Sequence, residues 1–414
     1  MKVRLNDIPD NWKKIKIKDK FFFQEGPGVR KWQFKDDGVK LLNVGNINKG
    51  KIDLSTTDKH LSIKEVKEKY SHFLVDEGDL LIACSGILVD NFYNKIAFAK
   101  KEHLPLCLNT STMRFKPLDD DVEMIYFKYF LQTPFFTSQL QKLITGSAQL
   151  NFGPSHIKKI DFLLPPLETQ KQIAQTLDNA AALRDKTQQL LAGYDQLAQS
   201  IFLDMFGDPV NNPKGWKMEN LKKVTSKIGS GSTPRGGKES YKDQGISLIR
   251  SLNIHDNLFK YKDLAFIDDN QAKKLNNVTI SENDVLINIT GASVARCSIV
   301  PKNVLPARVN QHVSILRCKN DMINSVFLLH LLISTNCKLK LLGVGSSNAA
   351  TRESITKDQL QNFEVICPPF YLQNQFAEKI ALIEQQKDLA KKELQESKDL
   401  FQALLQKAFK GELV

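Results

Sequence analysis

Hydrophobic and polar positions change their period twice along the chain. Up to about residue 165, and again from about 211 to 365, apolar residues come in short β-branched and aromatic runs. Val285-Leu286-Ile287-Asn288-Ile289 and Val313-Ser314-Ile315-Leu316 are examples, and Gly, Asn and Asp turns separate them. This is the pattern of short strands. Each stretch also holds one apolar helix candidate, near 122–143 and near 322–342. Residues 169–205 and 372–409 are different: they have almost no Gly or Pro and are rich in Gln, Ala, Leu and Lys, which predicts two long helices. Gly193 is the one weak point, at about 1 kcal/mol relative to Ala in a helix interior. The expected fold class is therefore α/β (α+β): globular units at 1–165 and 211–367, and helical segments at 166–210 and 368–414.

The second half repeats the first. Residues 157–174 and 360–377 align without a gap at an offset of 203, with both prolines, both glutamines and the alanine identical. The same offset pairs Leu197, Gln199 and Phe206 with Leu400, Gln402 and Phe409. Pro9-x-x-Trp12 answers Pro213-x-x-Trp216, and Asp79-Leu80-Leu81-Ile82 answers Asp284-Val285-Leu286-Ile287. A duplication of almost the whole chain follows, with a pseudo-two-fold arrangement expected.

The helices carry coiled-coil spacing. Ala180, Leu183, Thr187, Leu190, Tyr194, Leu197 and Ile201 step by three and four, as do Ile383, Lys387, Ala390, Leu394, Ser397, Phe401, Leu404 and Ala408. The leucines, Ile201, Ile383 and Phe401 are the expected pairing residues. Two unrelated amphipathic helices on separate domains remain the alternative; their being copies favours pairing between them. A 38-residue helix would be roughly 57 Å long, enough to hold two heads apart.

Composition changes the picture through charge. The 414 residues carry a net charge of +12. The excess sits on the globular units, +6 on residues 1–165 and +9 on 211–367, against −3 and 0 on the helical segments. Basic heads on neutral rods suit a phosphate-bearing polymer, although lysine-decorated surfaces would give the same totals. Loops in the second head hold suitable side chains: Ser232, Thr233 and Arg235 in a Gly-rich run, then Arg250, Arg296, Arg308, Asn310-Gln311-His312 and, after a later Gly-Ser loop, Arg352. Arg can fork onto guanine, and Asn or Gln onto adenine. The first head offers Arg30 and Lys31 at the matching place, and Gln149 and Asn151 in its own late loop.

Catalytic signatures fail on inspection. Cys367-Pro368-Pro369-Phe370 lacks the amide or carboxylate of an amino-methyltransferase motif, as does Leu164-Pro165-Pro166-Leu167, and both read as rigid strand-to-helix junctions. The Gly-rich run at 229–238 is no P-loop, because Ser232 stands at the first glycine and Glu239 at the hydroxyl position. The six cysteines are scattered without a Cys-x-x-Cys pair, which argues for reduced thiols and against a four-ligand zinc site. No apolar run exceeds eight residues and the N-terminus has no apolar core, so the expectation is a cytoplasmic protein without a membrane span.

These features resemble the specificity subunit of Type I restriction-modification enzymes over the whole chain. The most telling residues are the Leu163–Ile173 junction and its copy at 364–376, Asn310-Gln311-His312-Val313-Ser314-Ile315-Leu316-Arg317, Gly207-Asp208-Pro209, and the ending Ala403–Leu413. The resemblance implies two target-recognition domains, each reading half of a split double-stranded DNA sequence, and two antiparallel helices that dock two methyltransferase (modification) subunits. It implies a chain without catalysis or bound cofactor. S-adenosylmethionine would sit on the methyltransferase subunits, and ATP and Mg on restriction/translocase subunits. The first head departs from the pattern by reading Asn109-Thr110-Ser111-Thr112. A fused DNA methyltransferase and a coiled-coil adaptor are the competing readings.

Overall fold

The computed structural model describes residues 9–57, 59–144, 149–234, 236–346 and 353–413. Two long helices occur where the composition shifts, a central one, Leu167–Phe206, and a distal one, Phe370–Ala408. The chain divides into two compact units. One comprises residues up to Thr187 together with those from Glu393 on; the other is Gln188–Lys392. Each unit thus contains one globular head and half of each long helix.

The first unit is built on a four-stranded antiparallel sheet. Its order is Phe21–Glu25, Thr112–Pro117, Leu80–Ala83 and Ile96–Phe98. Beside it lies a three-stranded sheet in which Val39–Leu42 runs parallel to Leu106–Leu108 and antiparallel to His60–Leu61. The second unit repeats this plan. Thr225–Ser230, Val313–Cys318, Val285–Asn288 and Cys297–Ile299 form the four-stranded sheet. Ile246–Ile249 lies between Ala307–Val309 and Ala265–Ile267 in the other. The Asp anchors of the repeat acquire a reason here. Asp79 and Asp284, both buried, accept backbone N–H bonds from Asp76 (2.9 Å) and Ser281 (2.8 Å), and face Arg114 (3.4 Å) and Arg317 (2.8 Å) on the adjacent strand.

Each apolar helix candidate is in fact two helices. Met124–Phe130 and Pro134–Leu143 are separated because Thr133 caps the second, its hydroxyl accepting from the Phe136 N–H, and Pro134 occupies the first turn. Ser325–Ile333 and Thr335–Ser346 break at Ser334, which ends the first of them: its N–H donates to the His330 and Leu331 carbonyls and its hydroxyl to that of Leu331 (2.7 Å). Among the described residues no single helix is long and apolar enough to cross a membrane.

Each core is completed by both long helices. In the first unit, Ile173, Leu177 and Ala180 of the central helix join Phe401, Leu405, Ala408 and Phe409 around Tyr126, Phe127, Phe130 and Phe162. In the second, Ala198, Phe202 and Phe206 join Phe376, Ile380 and Ile383 around Phe327. The start of each helix meets the end of the other, so the pairing is antiparallel. Repeat partners do equivalent work: Phe409 stacks on Tyr126 at 5.0 Å, and Phe206 meets Phe327 edge-on at 4.7 Å.

The seam of the distal helix lies where its spacing placed it: Ile383 and Phe401 are buried, and Leu394 and Leu404 half-buried. The central helix requires a correction. Leu183, Leu190 and Leu197 are 43–45% exposed, and the inward row is Ala180, Arg184, Thr187, Leu191, Tyr194, Ala198 and Ile201. The leucines stand one residue, about 100° of helical turn, to the side of that row. The cores at either end fix the phase, because Leu177 and Phe202 must both face inward. Arg184 serves in the seam because its guanidinium lies 5.1 Å over the Phe401 ring. Lys387, its repeat counterpart, bonds Asp195 at 2.8 Å and Glu384 at 2.9 Å. Burial pulls the Lys387 pKa down, and these two carboxylates outweigh it and hold the value above the usual lysine range.

Heads and helices are joined by a buried glutamine in each copy. After the strand Asp161–Leu164 and the two prolines, Gln170 donates to the carbonyls of Pro165 (2.9 Å) and Asp121 (2.8 Å) and accepts from the Glu123 N–H (2.9 Å). Gln373 does the same with Pro368 (2.8 Å), Met322 (3.1 Å) and Asn324 (2.8 Å). Removing either side chain orphans one N–H and at least one carbonyl in the interior; the Met322 carbonyl keeps a contact from the Cys367 thiol (3.5 Å). Gln373→Ala should lower stability by about 3 kcal/mol, read as a shift in the denaturant midpoint. Gln375→Ala, two residues on and exposed, should be near neutral.

One buried base sets an acid limit. His330 in Ser325–Ile333 lies edge-on to Phe376 at 5.3 Å, and its Nε2 has no hydrogen-bond partner. Burial, helped by Lys387, pushes its pKa down to about 4. The unfolded chain takes up a proton near pH 6.5 that the folded chain refuses until about 4, so stability is lost as pH falls through that window. The loss amounts to roughly 3 kcal/mol. His330→Phe should therefore flatten the fall in Tm between pH 7 and 4.5 relative to the parent chain; an unchanged slope would refute the assignment.

Candidate nucleic-acid interface

In the second unit the chain crosses from one sheet to the other through Asn310-Gln311-His312, between the strands Ala307–Val309 and Val313–Cys318. The crossing is held from inside. Asn310 is buried; its side-chain oxygen accepts the His312 N–H (3.0 Å), its own N–H donates to Ile249 (3.1 Å), and its carbonyl accepts from Gly231 (3.1 Å). Gly231 is required there, because a Cβ would lie 1.8 Å from the Val309 carbonyl oxygen. The neighbouring side chains point outward. Gln311 is exposed and accepts from the Thr233 hydroxyl, while His312 Nδ1 pairs with Thr290 Oγ1 at 2.5 Å.

Further segments close on the same turn. Ile289 N–H donates to the His312 carbonyl (2.9 Å), and Ile355 N–H to that of Ile289 (2.8 Å). Asn288 bonds the Ser251 carbonyl at 2.9 Å. The loops following 230, 249, 288 and 309, and the segment from 353, therefore converge on one place.

The first unit assembles the same site around Asn109, whose side-chain oxygen accepts the Ser111 N–H at 2.7 Å. The sequence Asn109-Thr110-Ser111-Thr112, although different from its counterpart, makes the same side-chain-to-backbone turn. Gly26 stands for Gly231, a Cβ there lying 2.3 Å from the Asn109 nitrogen. Ser111 accepts from the Val44 N–H (3.1 Å), and Asn151 accepts from the Ser85 hydroxyl (2.9 Å) and the Gly86 N–H (2.8 Å).

The sequence candidates separate into two sets. Arg30, Lys31, Ser232 and Gln311 are exposed, Thr233 and His312 are half-buried, and all lie on the loops around the Asn turns. Gln149 is exposed in a two-residue strand paired with Leu88. Arg296 is half-buried, 3.4 Å from His255 Nδ1. Other candidates are engaged within the protein. Arg308 is buried and donates to the Ala307 carbonyl (3.1 Å) and the Asn276 side chain (2.9 Å). Asn310 and Asn151 fix their loops as described. Arg250 lies 5.3 Å over the Tyr241 ring and donates to the Asp263 carbonyl. Arg235 and Arg352 fall outside the described residues. Asn43, which accepts from the Asn109 side-chain amide, and Thr290 were not anticipated; Asn109 was matched to Asn310 across the duplication without being singled out as a site residue.

Burial pushes the thiols of Cys84, Cys107 and Cys337 up to about 12 and that of Cys318 up to about 11. Among the described residues no three His, Cys, Asp or Glu side chains are grouped to hold a metal ion.

The sequence model described as Type I restriction modification DNA specificity domain matches residues 9–192 and again 213–398. A putative type I restriction enzyme MjaX specificity subunit of Methanocaldococcus jannaschii is 22% identical over 414 residues, covering 95% of this chain and 91% of the relative. The type I restriction enzyme StySPI specificity subunit of Salmonella potsdam is 23% identical over 432 residues, covering 98% and 90%. Among solved structures, a chain from work on complex assembly and conformational transition of the type I R-M system aligns with a TM-score of 0.60 at 18% identity, covering 98% and 99%. The S subunit of a Type I restriction-modification system from M. genitalium aligns at 0.51 and 17%, covering 99% and 98%. At these identities the likeness is one of fold.

Proposed function

The chain belongs to the Type I restriction modification DNA specificity family, with the domain present twice, and from that premise we propose that each unit reads one half of an interrupted duplex-DNA target. The observation that carries this reading is the Asn-centred turn built twice on one backbone plan with different tips. Gln311, His312 and Thr233 stand at one, and Thr110, Ser111 and the Arg30–Lys31 loop at the other. Equivalent scaffolds with unlike hydrogen-bonding groups suit two unlike half-sites. The cations of each head supply the sequence-independent attraction to phosphate.

In this reading the chain does no chemistry. Adenine methylation, with S-adenosylmethionine, belongs to two methyltransferase subunits, and ATP- and Mg-dependent cleavage to restriction subunits, all acting on cytoplasmic DNA. The partner surface is the outward side of the long helices. Leu183, Leu190 and Leu197 form a row with heptad spacing, and the distal helix exposes Leu382 and Leu389. Such rows on segments without excess positive charge suit a protein partner.

The test of recognition is single-molecule sequencing of host DNA for methylated adenine, with the chain co-expressed with the methyltransferase subunit of its own system. A split motif is expected, and Gln311→Ala with Thr233→Ala should alter one half of it only. A continuous motif, or both halves changing together, would overturn the two-reader assignment. If a complex forms and no motif is methylated, salt-dependent DNA binding by that complex decides between an inactive partner and an adaptor role.

For docking, Leu190→Glu with Leu389→Glu should leave Tm unchanged and prevent co-elution with the methyltransferase subunit. Leu191→Glu, in the seam, should lower Tm instead. A double variant that still assembles at normal stoichiometry would place the partner elsewhere.

A further inference from the structure

Trp32 is the most exposed large apolar side chain among the described residues, at 75%, while Trp12 is buried and Trp216 half-buried. Exposure alone means little, since scattered apolar residues occur on every surface. What distinguishes Trp32 is how firmly its backbone is held. It occupies the middle of the turn Lys31–Gln33. Gln33 is buried, with its side-chain oxygen accepting the Arg30 N–H (2.9 Å) and its amide donating to Glu65 Oε1 (2.7 Å) and the Tyr70 hydroxyl (3.0 Å). Val29 and Phe34, on either side, pack against the cluster of Val39, Leu41, Leu61 and Val66. The loop is also pinned at its foot, where Gly26 abuts Asn109. A pinned turn with both shoulders partly buried therefore presents a bare indole to solvent beside two exposed cations, Arg30 and Lys31.

We propose that Trp32 is a base-contacting wedge: its indole inserts against a base step of the half-site read by the first unit, while Arg30 and Lys31 bind the flanking phosphates. The proposal rests on the DNA-recognition reading above. Preorganisation is the physical argument, because a side chain already held in place loses little freedom on binding, and an indole finds stacking surface on every base. A wedge at a base step also makes recognition depend on how readily that step unstacks, which differs between sequences. The contact belongs to one half-site only. The matching glycines Gly38 and Gly245, each in the left-handed region and facing the carbonyls of Leu61 and Ile267, set a register in which Glu239 stands opposite Trp32. The second unit's turn, Gly237–Ser240, thus carries no aromatic residue.

The test uses the chain carrying 5-fluorotryptophan, assembled with unlabelled methyltransferase subunits. Binding of a duplex containing the methylated motif should shift the fluorine resonance assigned to Trp32 by its loss in Trp32→Phe, and leave those of Trp12 and Trp216 in place. Trp32→Ala should weaken binding about tenfold or more without changing the dependence of affinity on salt, and Trp32→Phe should retain most of it. Lys31→Ala should instead reduce the salt slope by about one. An unshifted Trp32 resonance on a bound duplex would overturn the proposal. So would Trp32→Ala impairing assembly with the methyltransferase subunit while the assembled complex keeps its affinity, which would make Trp32 a protein contact. If the parent complex binds no DNA, the recognition reading itself fails, and that result is distinguishable from the others.

Discussion

The buried glutamine on the first turn of each long helix is the constraint on which the rest of the structure depends. A head made of small sheets must end its last strand, reverse into a helix and fix that helix against itself. The two prolines stop the strand and remove two N–H donors that would otherwise need partners. They also leave carbonyls that must be satisfied in the interior. Gln170 and Gln373 satisfy one of these together with groups at the entry to the head's helices. Three hydrogen bonds from one side chain fix the helix origin in position and in rotation. Once the rotation is set, the residues that complete each core, Leu177 in one unit and Phe376 in the other, follow by helical geometry.

The other ends of the helices are fixed by a second repeated device. After Phe206 the chain turns at Gly207, whose φ is +74°, and Pro213 packs over it while Trp216 donates its indole N–H to the Phe206 carbonyl at 2.8 Å. After Phe409 the chain turns at Gly411, also with φ +74°, and the proline against it is Pro9, near the start of the sequence. Trp12 follows, buried, as Trp216 follows Pro213. The join between helix and head is therefore made twice, once through a peptide bond and once through packing alone. In both copies the geometry calls for a left-handed residue and a close approach, which is why glycine and proline stand there.

This logic explains what could be read from the amino-acid pattern. The strand–Pro-Pro–helix junction, the long helices and the duplication were legible because they depend on local chemistry repeated at a constant offset. The phase of the central helix was not. Hydrophobicity favours Leu183, Leu190 and Leu197 over Arg184, Leu191 and Ala198, and only the cores at the two ends decide between neighbouring rows. An arginine becomes a seam residue when a phenyl ring lies beneath its guanidinium, and that ring, Phe401, is more than two hundred residues away. The apolar helix candidates failed at their middles for a similar reason, since Thr133-Pro134 is a start signal hidden inside an apolar run.

The interface was legible in its loops and less so in its residues. Arg, Asn and Gln read bases, but the same groups also satisfy buried carbonyls and N–H donors, and residue type alone does not separate the two uses. Arg308 and Asn310 lie on and just after a strand covered by neighbouring loops, so the terminal guanidinium nitrogens of one and the side-chain oxygen of the other are taken up internally; Gln311, one residue on, is at the surface. The division has a consequence for how such a protein changes what it reads. Substituting Asn109, Asn310, Gly26 or Gly231 disturbs backbone that several loops share, and each site collapses as a unit. Substituting Thr110, Gln311, Thr233 or Trp32 alters only what the fixed backbone displays. Because the backbone hydrogen bonds are satisfied without the tips, the two copies can diverge at the tips and remain equally stable. A duplicated chain that must recognise two unlike sequences needs that separation of scaffold from reader.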